Sequence, residues 1–158
     1  MDPALAVDAQ YVGHITRMTG LLGPSVITGT PSSVLAFERS LAAGTMTDAE
    51  REDPRVTYHP TAWSDFVAAA PHFPWSIYLT AIGVAQPLEI NVTSPRYLAT
   101  LDTVLAGASR DQLQDNLNWT FVESYANAMG EAVIAEEAKF CPPAAGWTSR
   151  PGRRHARS

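Results

Sequence analysis

Arg51 to Gly83 reads REDPRVTYHPTAWSDFVAAAPHFPWSIYLTAIG, and Pro54, Pro60, Pro71 and Pro74 cut it into short pieces. Proline removes a backbone donor and biases the residue before it away from helix, so no long helix or central strand survives that spacing. Asp53-Pro54 marks a break. Thr61 is placed to cap a helix over 62–70, bounded by Pro60 and Pro71. Pro74 opens another short helix whose Trp75, Tyr78, Leu79 and Ile82 fall on one inward face, and Gly83 supplies its left-handed end.

Helical signals continue on both sides. Tyr11, Ile15, Met18 and Leu22 share one face of a first helix that Gly23-Pro24 ends. Thr30-Pro31 starts a second, with Val34, Leu35, Phe37 and Leu41 in period, up to Gly44. Thr47 and Glu50 have capping-box spacing, as do Ser109 and Gln112. Ser94-Pro95 restarts helix with Tyr97, Leu98, Leu101, Val104 and Leu105 on one side. A long last helix carries Leu113, Leu117, Phe121 and Tyr125 at intervals of four and reaches toward Lys139. Leu88–Val92 alternates apolar and polar, the one strand signal.

The serial order of these residues resembles the N-terminal helical domain of the neprilysin-like zinc metallopeptidases. The stretch from Arg51 is similar to that family's R-x-D-x-x-x-T-Y-N-P and A-P-x-F-D-W blocks, and YVGHITRMTGLLG from Tyr11 is similar to its Tyr-x-x-x-Met-x-x-Leu-Leu-x-x-Leu-Gly. Glu38, Pro95-x-Tyr97 and Trp119 keep their places in the order. His59 stands where the family has Asn, Pro74 stands where it has Asp, and the motif resemblance ends after Phe140. The resemblance implies a mainly α fold, a multi-helix lobe of short helices with at most one short strand, part of a larger metallopeptidase fold. Residues 5–140 are its partial helical domain and 141–158 a disordered basic tail, with truncation or a frameshift expected at Cys141-Pro142-Pro143.

Composition agrees with an ordinary globular chain. At 158 residues, 46% hydrophobic and 17% charged, it has length for one core. Residues 1–140 hold sixteen acidic and seven basic residues, a balance of −9, whereas Arg150, Arg153, Arg154 and Arg157 fall in the tail. An acidic body argues against nucleic acid as a partner. No apolar run reaches the about 20 residues that cross a bilayer, and MDPALAVDAQ lacks a secretory pattern, so the expectation is no membrane partner and a cytoplasmic default. Cys141 is the single cysteine, which excludes an intrachain disulfide and a cysteine zinc cluster.

Catalytic chemistry finds no purchase. A zinc protease of this class needs H-E-x-x-H, two histidines one turn apart with a glutamate to activate the metal-bound water. His14, His59, His72 and His155 precede Ile15, Pro60, Phe73 and Ala156, and no E-x-x-x-D third-ligand motif occurs. Zinc therefore belongs to full-length members that the resemblance implies, and the expected sets of catalytic, cofactor-binding and metal residues in this chain are empty. His59 and His72 flank one short helix near Asp65, but turn-shaping histidines are the plainer reading. Asn127-Ala128 is followed by Met129 rather than an aromatic, so it is not the family's substrate-binding motif. No serine sits in a G-x-S-x-G elbow, and no phosphate-binding glycine loop is present. Asn91-Val92-Thr93 and Asn118-Trp119-Thr120 satisfy the glycosylation pattern. Trp63, Trp75 and Trp119, with Tyr58, Phe66, Phe73, Tyr78 and Phe121, read as core rather than as a substrate platform.

The function expected is that of a partial neprilysin-like metallopeptidase N-terminal domain, inactive alone. Peptides or a missing catalytic lobe are its candidate partners. The alternative is a non-catalytic helical module that binds a peptide or protein.

Overall fold

The computed structural model describes residues 3–140; the tail from Cys141, with its arginines, lies outside them. In chain order the described elements are α1 (Pro3–Leu22), α2 (Pro31–Ala42), α3 (Asp48–Glu52), α4 (Pro54–Thr57), β1 (Pro60–Ala62), α5 (Trp63–Ala69), α6 (Trp75–Ala81), β2 (Glu89–Asn91), α7 (Pro95–Gly107), α8 (Arg110–Tyr125), a single 3-10 turn (Ala126–Ala128) and α9 (Glu131–Phe140). The described residues divide into two compact units, one drawn from residues 3–35 and 114–140, the other from Ala36–Leu113. Length alone argued for one core; each unit instead has its own.

Helix ends follow the local chemistry of the sequence. Gly23 takes φ +102° after α1, and its N–H returns to the Thr19 carbonyl at 2.9 Å. Thr47 and Glu50 cap α3 reciprocally, at 3.2 Å and 2.6 Å. Asp53 caps the unexpected extra turn α4 by accepting from the Arg55 N–H at 2.9 Å. Ser94 caps α7 with Pro95 at the first helical position, and Ser109 and Gln112 exchange 2.9 Å and 3.2 Å bonds at the start of α8. Gly83 ends the α6 segment at φ +70°.

Some expectations need correction. A strand needs a partner, and β2, inside the Leu88–Val92 signal, pairs antiparallel with β1 in the register Pro60↔Asn91, Thr61↔Ile90, Ala62↔Glu89. There are thus two short strands. The Trp63 N–H donates to the Leu88 carbonyl at 3.0 Å, so the ladder occupies the place given to a helix start, and the Thr61 hydroxyl donates to the His59 carbonyl at 2.9 Å instead of capping. The long last helix is broken at 126–130, where Met129 is extended and Gly130 follows.

A further correction concerns which face of α8 is buried. Ile15, Met18, Ile27, Val34, Trp119, Val122, Ala126 and Val133 form the core of the first unit, with Trp119 fully enclosed. The evenly spaced Leu117, Phe121 and Tyr125 lie outside it, more than half exposed. In the second unit Phe66, Ala70, Val92 and Leu98 make a smaller core, lined by half-buried Trp63, Val67, Trp75 and Ile90. Tyr58, Tyr78 and Ile82, expected inside, are exposed. Tyr78 instead meets Phe73 edge-on at 5.6 Å from the surface side.

Gly44 sits where α2 has ended and α7 passes close by: a Cβ built there would lie 2.5 Å from the Thr100 hydroxyl oxygen. Gly44→Ala is expected to cost roughly 1–3 kcal/mol through that overlap. Gly107→Ala, with nothing within 4 Å, is expected to be neutral or mildly stabilising. Urea unfolding measures both, and equal stabilities for the two variants would contradict the packing described.

Candidate functional site

Arg51 and Trp75 of the sequence signature, with Arg96 and Glu50 beside them, are engaged in shaping turns. Arg51 pairs with Asp48 and donates to the Met46 carbonyl at 2.7 Å, closing the turn before α3. Arg96 donates to the Thr45 carbonyl at 2.7 Å and to Glu50 at 3.0 Å. The Thr47 backbone N–H and then Arg96 hold the Glu50 carboxyl below the usual glutamate range. Trp75 donates its indole N–H to the Ala70 carbonyl at 2.8 Å while its ring leans on Phe73 and Phe66, at centroid distances of 4.2 and 4.4 Å. These contacts build a scaffold and leave no reactive group aimed at a common point.

The flanking histidines are likewise occupied separately. His59 donates its backbone N–H to the Asn91 side chain at 2.7 Å, and its Nδ1 lies 3.1 Å from the Val92 carbonyl. His72 uses both backbone N–H and Nδ1 on one Asp102 oxygen, at 2.9 and 3.0 Å, and those bonds hold the Asp102 carboxyl below its usual range. Asp65 accepts from Ser64 at 3.5 Å. Among the described residues no three His, Cys, Asp or Glu side chains are grouped to hold a metal.

Other candidate features are structural as well. The side-chain amide of Asn91 donates to the Thr57 carbonyl at 3.0 Å, and that of Asn118 to the Val26 carbonyl at 2.9 Å, so both sequon nitrogens hold the backbone. Asn127 is exposed in the 3-10 turn. An open cleft of about 360 Å³ on α6 is lined by Ser76, Ile77, Thr80 and Ala81, which bring no ionisable group to it.

The chemistry that is concentrated lies elsewhere, in a polar cluster at the packing of α1 against α9. His14, fully buried, has Nδ1 3.4 Å from Glu136 and Nε2 3.3 Å from Glu137, both glutamates also buried. Its ring stacks on Phe140 at 4.2 Å and meets Trp119 edge-on at 5.8 Å. Arg17 donates to Glu136 at 2.5 Å, and Lys139 stands 3.9 Å from the other Glu136 oxygen. Nearby, the Trp119 indole donates to the Tyr11 hydroxyl at 2.8 Å, and that hydroxyl donates to Glu123 at 3.2 Å. Burial alone would raise the Glu136 pKa, but the bonds from Arg17 and His14 outweigh it and hold the carboxyl below its ordinary range. The sequence analysis meets His14 only in the search for a zinc motif and does not single out Glu136 or Glu137. The available signal was His14 lying between Tyr11 and Ile15 on the apolar side of α1, and adjacent glutamates in a helix beside Val133.

Comparison with known proteins converges on one family. The model of peptidase family M13 matches residues 3–156, past the Phe140 where the motif resemblance ends. Endothelin-converting enzyme 1 from Rattus norvegicus and from Homo sapiens are each 24% identical over 139 residues, covering 82% of this chain and 18% of the relative. The crystal structure of the Mycobacterium tuberculosis zinc metalloprotease Zmp1 with inhibitor is similar with a TM-score of 0.81 at 25% identity, over 90% of this chain and 22% of that one. Its open state gives 0.79 at 26% identity. This chain thus spans about a fifth of the length of the proteins it matches.

Because Glu136 is more acidic folded than its ordinary value of 4.5, its contribution to stability is whole above that pH and drains away as pH falls through the lowered folded value. Acid unfolding of the chain is expected to be steeper than that of Glu136→Gln, with Glu50 and Asp102 contributing equally to both. Identical acid limbs in a pH series of thermal melts would contradict this.

Proposed function

This chain belongs to peptidase family M13, and from that membership we propose that it supplies the non-catalytic helical wall of a zinc endopeptidase, with the metal and its activated water on segments outside residues 1–158. In this reading the wall bounds the space where an oligopeptide is held, and a catalytic lobe is its partner. The single observation that carries it is the asymmetry of the match: 90% of this chain aligns with 22% of a zinc metalloprotease. The matching part is most of this chain and a small part of the relative.

Surface chemistry supports the same reading. In the first unit Leu117, Phe121 and Tyr125 form an exposed apolar ridge along α8, with the Phe121 and Tyr125 rings 4.6 Å apart. In the second, Ile77, Ile82 and Val84 are exposed and Leu88 is 95% so. Large apolar side chains left in water at this density are what a piece of a longer fold presents where its continuation would pack. No helix among the described residues is long and apolar enough to cross a membrane.

The sequence of the chain has no pair of histidines at the spacing a zinc-binding helix requires. Purified and dialysed, it is expected to hold no stoichiometric zinc and to leave oligopeptides uncut; chelator-sensitive cleavage with about one zinc per chain would overturn the proposal. The positive test is a chimera in which residues 3–140 replace the matching region of Zmp1. A folded, zinc-loaded chimera that cleaves peptides is the expected result. A folded, zinc-loaded chimera without activity would contradict the assignment of this region as an equivalent wall.

A further inference from the structure

The two-stranded ribbon of the second unit has one blunted edge and one open edge. In its ladder the Val92 N–H donates to the His59 carbonyl and the Trp63 N–H to the Leu88 carbonyl, each at 3.0 Å, with Thr61 opposite Ile90 between them. Backbone groups alternate sides along an extended strand, so Glu89 and Asn91 turn their N–H and C=O groups away from β1. Those two donors and two acceptors meet no described residue, and both residues are exposed. On the far side of the ribbon Pro60 lacks an N–H and Ala62 leads straight into α5, which closes that edge to further pairing. β2 itself holds no proline.

The side chains of β2 and its flanks determine what kind of strand fits there. Ile90 and Val92 point into the second core, and Leu88, on the same face, is 95% exposed where that core runs out. Glu89 points to the opposite face, and no described residue pairs with its carboxylate. Between Ala36 and Leu113 the chain has nine acidic and five basic residues, so the field around this edge favours a cation. In an antiparallel pairing the residue opposite Glu89 shares its face, and those opposite Leu88 and Ile90 share theirs. A strand that alternates basic and apolar residues therefore sets a cation against the carboxylate on one face and covers Leu88 on the other.

We propose that β2 is the docking edge for an extended oligopeptide of alternating basic and apolar residues, which adds a third strand to the ribbon through the backbone of Glu89 and Asn91. This rests on the wall reading, in which an oligopeptide lies against the chain, and names the place where it lies. Main-chain bonds hold the peptide in register, Glu89 selects for a cation, and Leu88 takes an apolar side chain. The Asn91 side chain is spent on the Thr57 carbonyl and the His59 N–H, which fixes the strand and leaves its outward backbone groups for the peptide.

The test adds a capped peptide of alternating valine and lysine to the 158-residue chain and follows amide exchange across residues 89–91. Slowed exchange of the Glu89 and Asn91 amides is expected; no slowing at millimolar peptide would overturn the docking edge. Methylating the backbone nitrogens of the lysines, which face β2 when they lie opposite Glu89 and Asn91, is expected to abolish the effect, whereas methylating those of the valines, which face away, is expected to leave it. Equal loss from both would contradict strand addition. A peptide with glutamate in place of lysine is expected to bind roughly two- to fivefold more weakly, and Glu89→Lys to reverse that order. An unchanged order would overturn the assignment of a basic peptide. Slowed exchange of the same amides on raising the concentration of the chain alone would give the edge to a second copy, and slow exchange there in the peptide-free Zmp1 chimera would give it to the rest of the fold; either overturns the proposal. Cleavage by the chimera is read separately, so the wall reading stands or falls apart from this edge.

Discussion

The Asp115 carboxylate, buried on α8, accepts the backbone N–H groups of Thr28 and Gly29 at 2.7 Å each and the Thr28 hydroxyl at 3.1 Å. A buried carboxylate without such donors is among the costliest groups a fold can hold, so α8 must turn this residue toward the loop between α1 and α2. The rest of the helix follows from its pitch. Trp119, Val122 and Ala126 lie at four, seven and eleven residues beyond and come inward with it, whereas Leu117, two residues from Asp115, stands about 200° around the axis and points away. Asp115 thus determines both the core of the first unit and the apolar ridge left on its surface. Gly29 completes the fit, since a Cβ there would lie 2.9 Å from the same carboxylate.

What the sequence disclosed and what it hid divide along one line. Caps, prolines and the left-handed glycines act within a few residues, and Thr47, Ser94, Ser109, Gly23 and Gly83 did in the structure what they promised in the sequence. The β1–β2 pair joins segments about thirty residues apart, and Pro60–Ala62 has no alternation of its own to announce it. The orientation of α8 was misjudged because four apolar residues at even intervals outweighed one aspartate. A buried charge whose partners are backbone groups 86 and 87 residues away leaves no trace in periodicity. The His14 cluster was hidden for the same reason, its partner Glu136 lying 122 residues distant and Glu137 one further.

Side chains along both units are likewise taken up in holding turns and helices together. Arg51, Arg96, Trp75 and Asn91 spend their polar atoms on carbonyls and carboxylates that close turns, and Trp119 spends its indole N–H on Tyr11. They fix the relative placement of short helices that propensity alone would leave marginal. Membership in peptidase family M13 is therefore written in this chain as scaffold chemistry, consistent with a match that covers nearly all of the chain and a small share of each relative.

Asp115 sets the arrangement of the first unit, and amide hydrogen exchange at Thr28 and Gly29 tests this most directly. Both residues are exposed and lie outside any helix, so without the carboxylate their amides would exchange as those of a free loop. The structure predicts protection at these two amides comparable to that of the α8 core around Trp119, lost together with it when Asp115 is replaced by alanine. Rapid exchange at Thr28 and Gly29 in a chain whose α8 amides remain protected would contradict the claim that this carboxylate sets the arrangement.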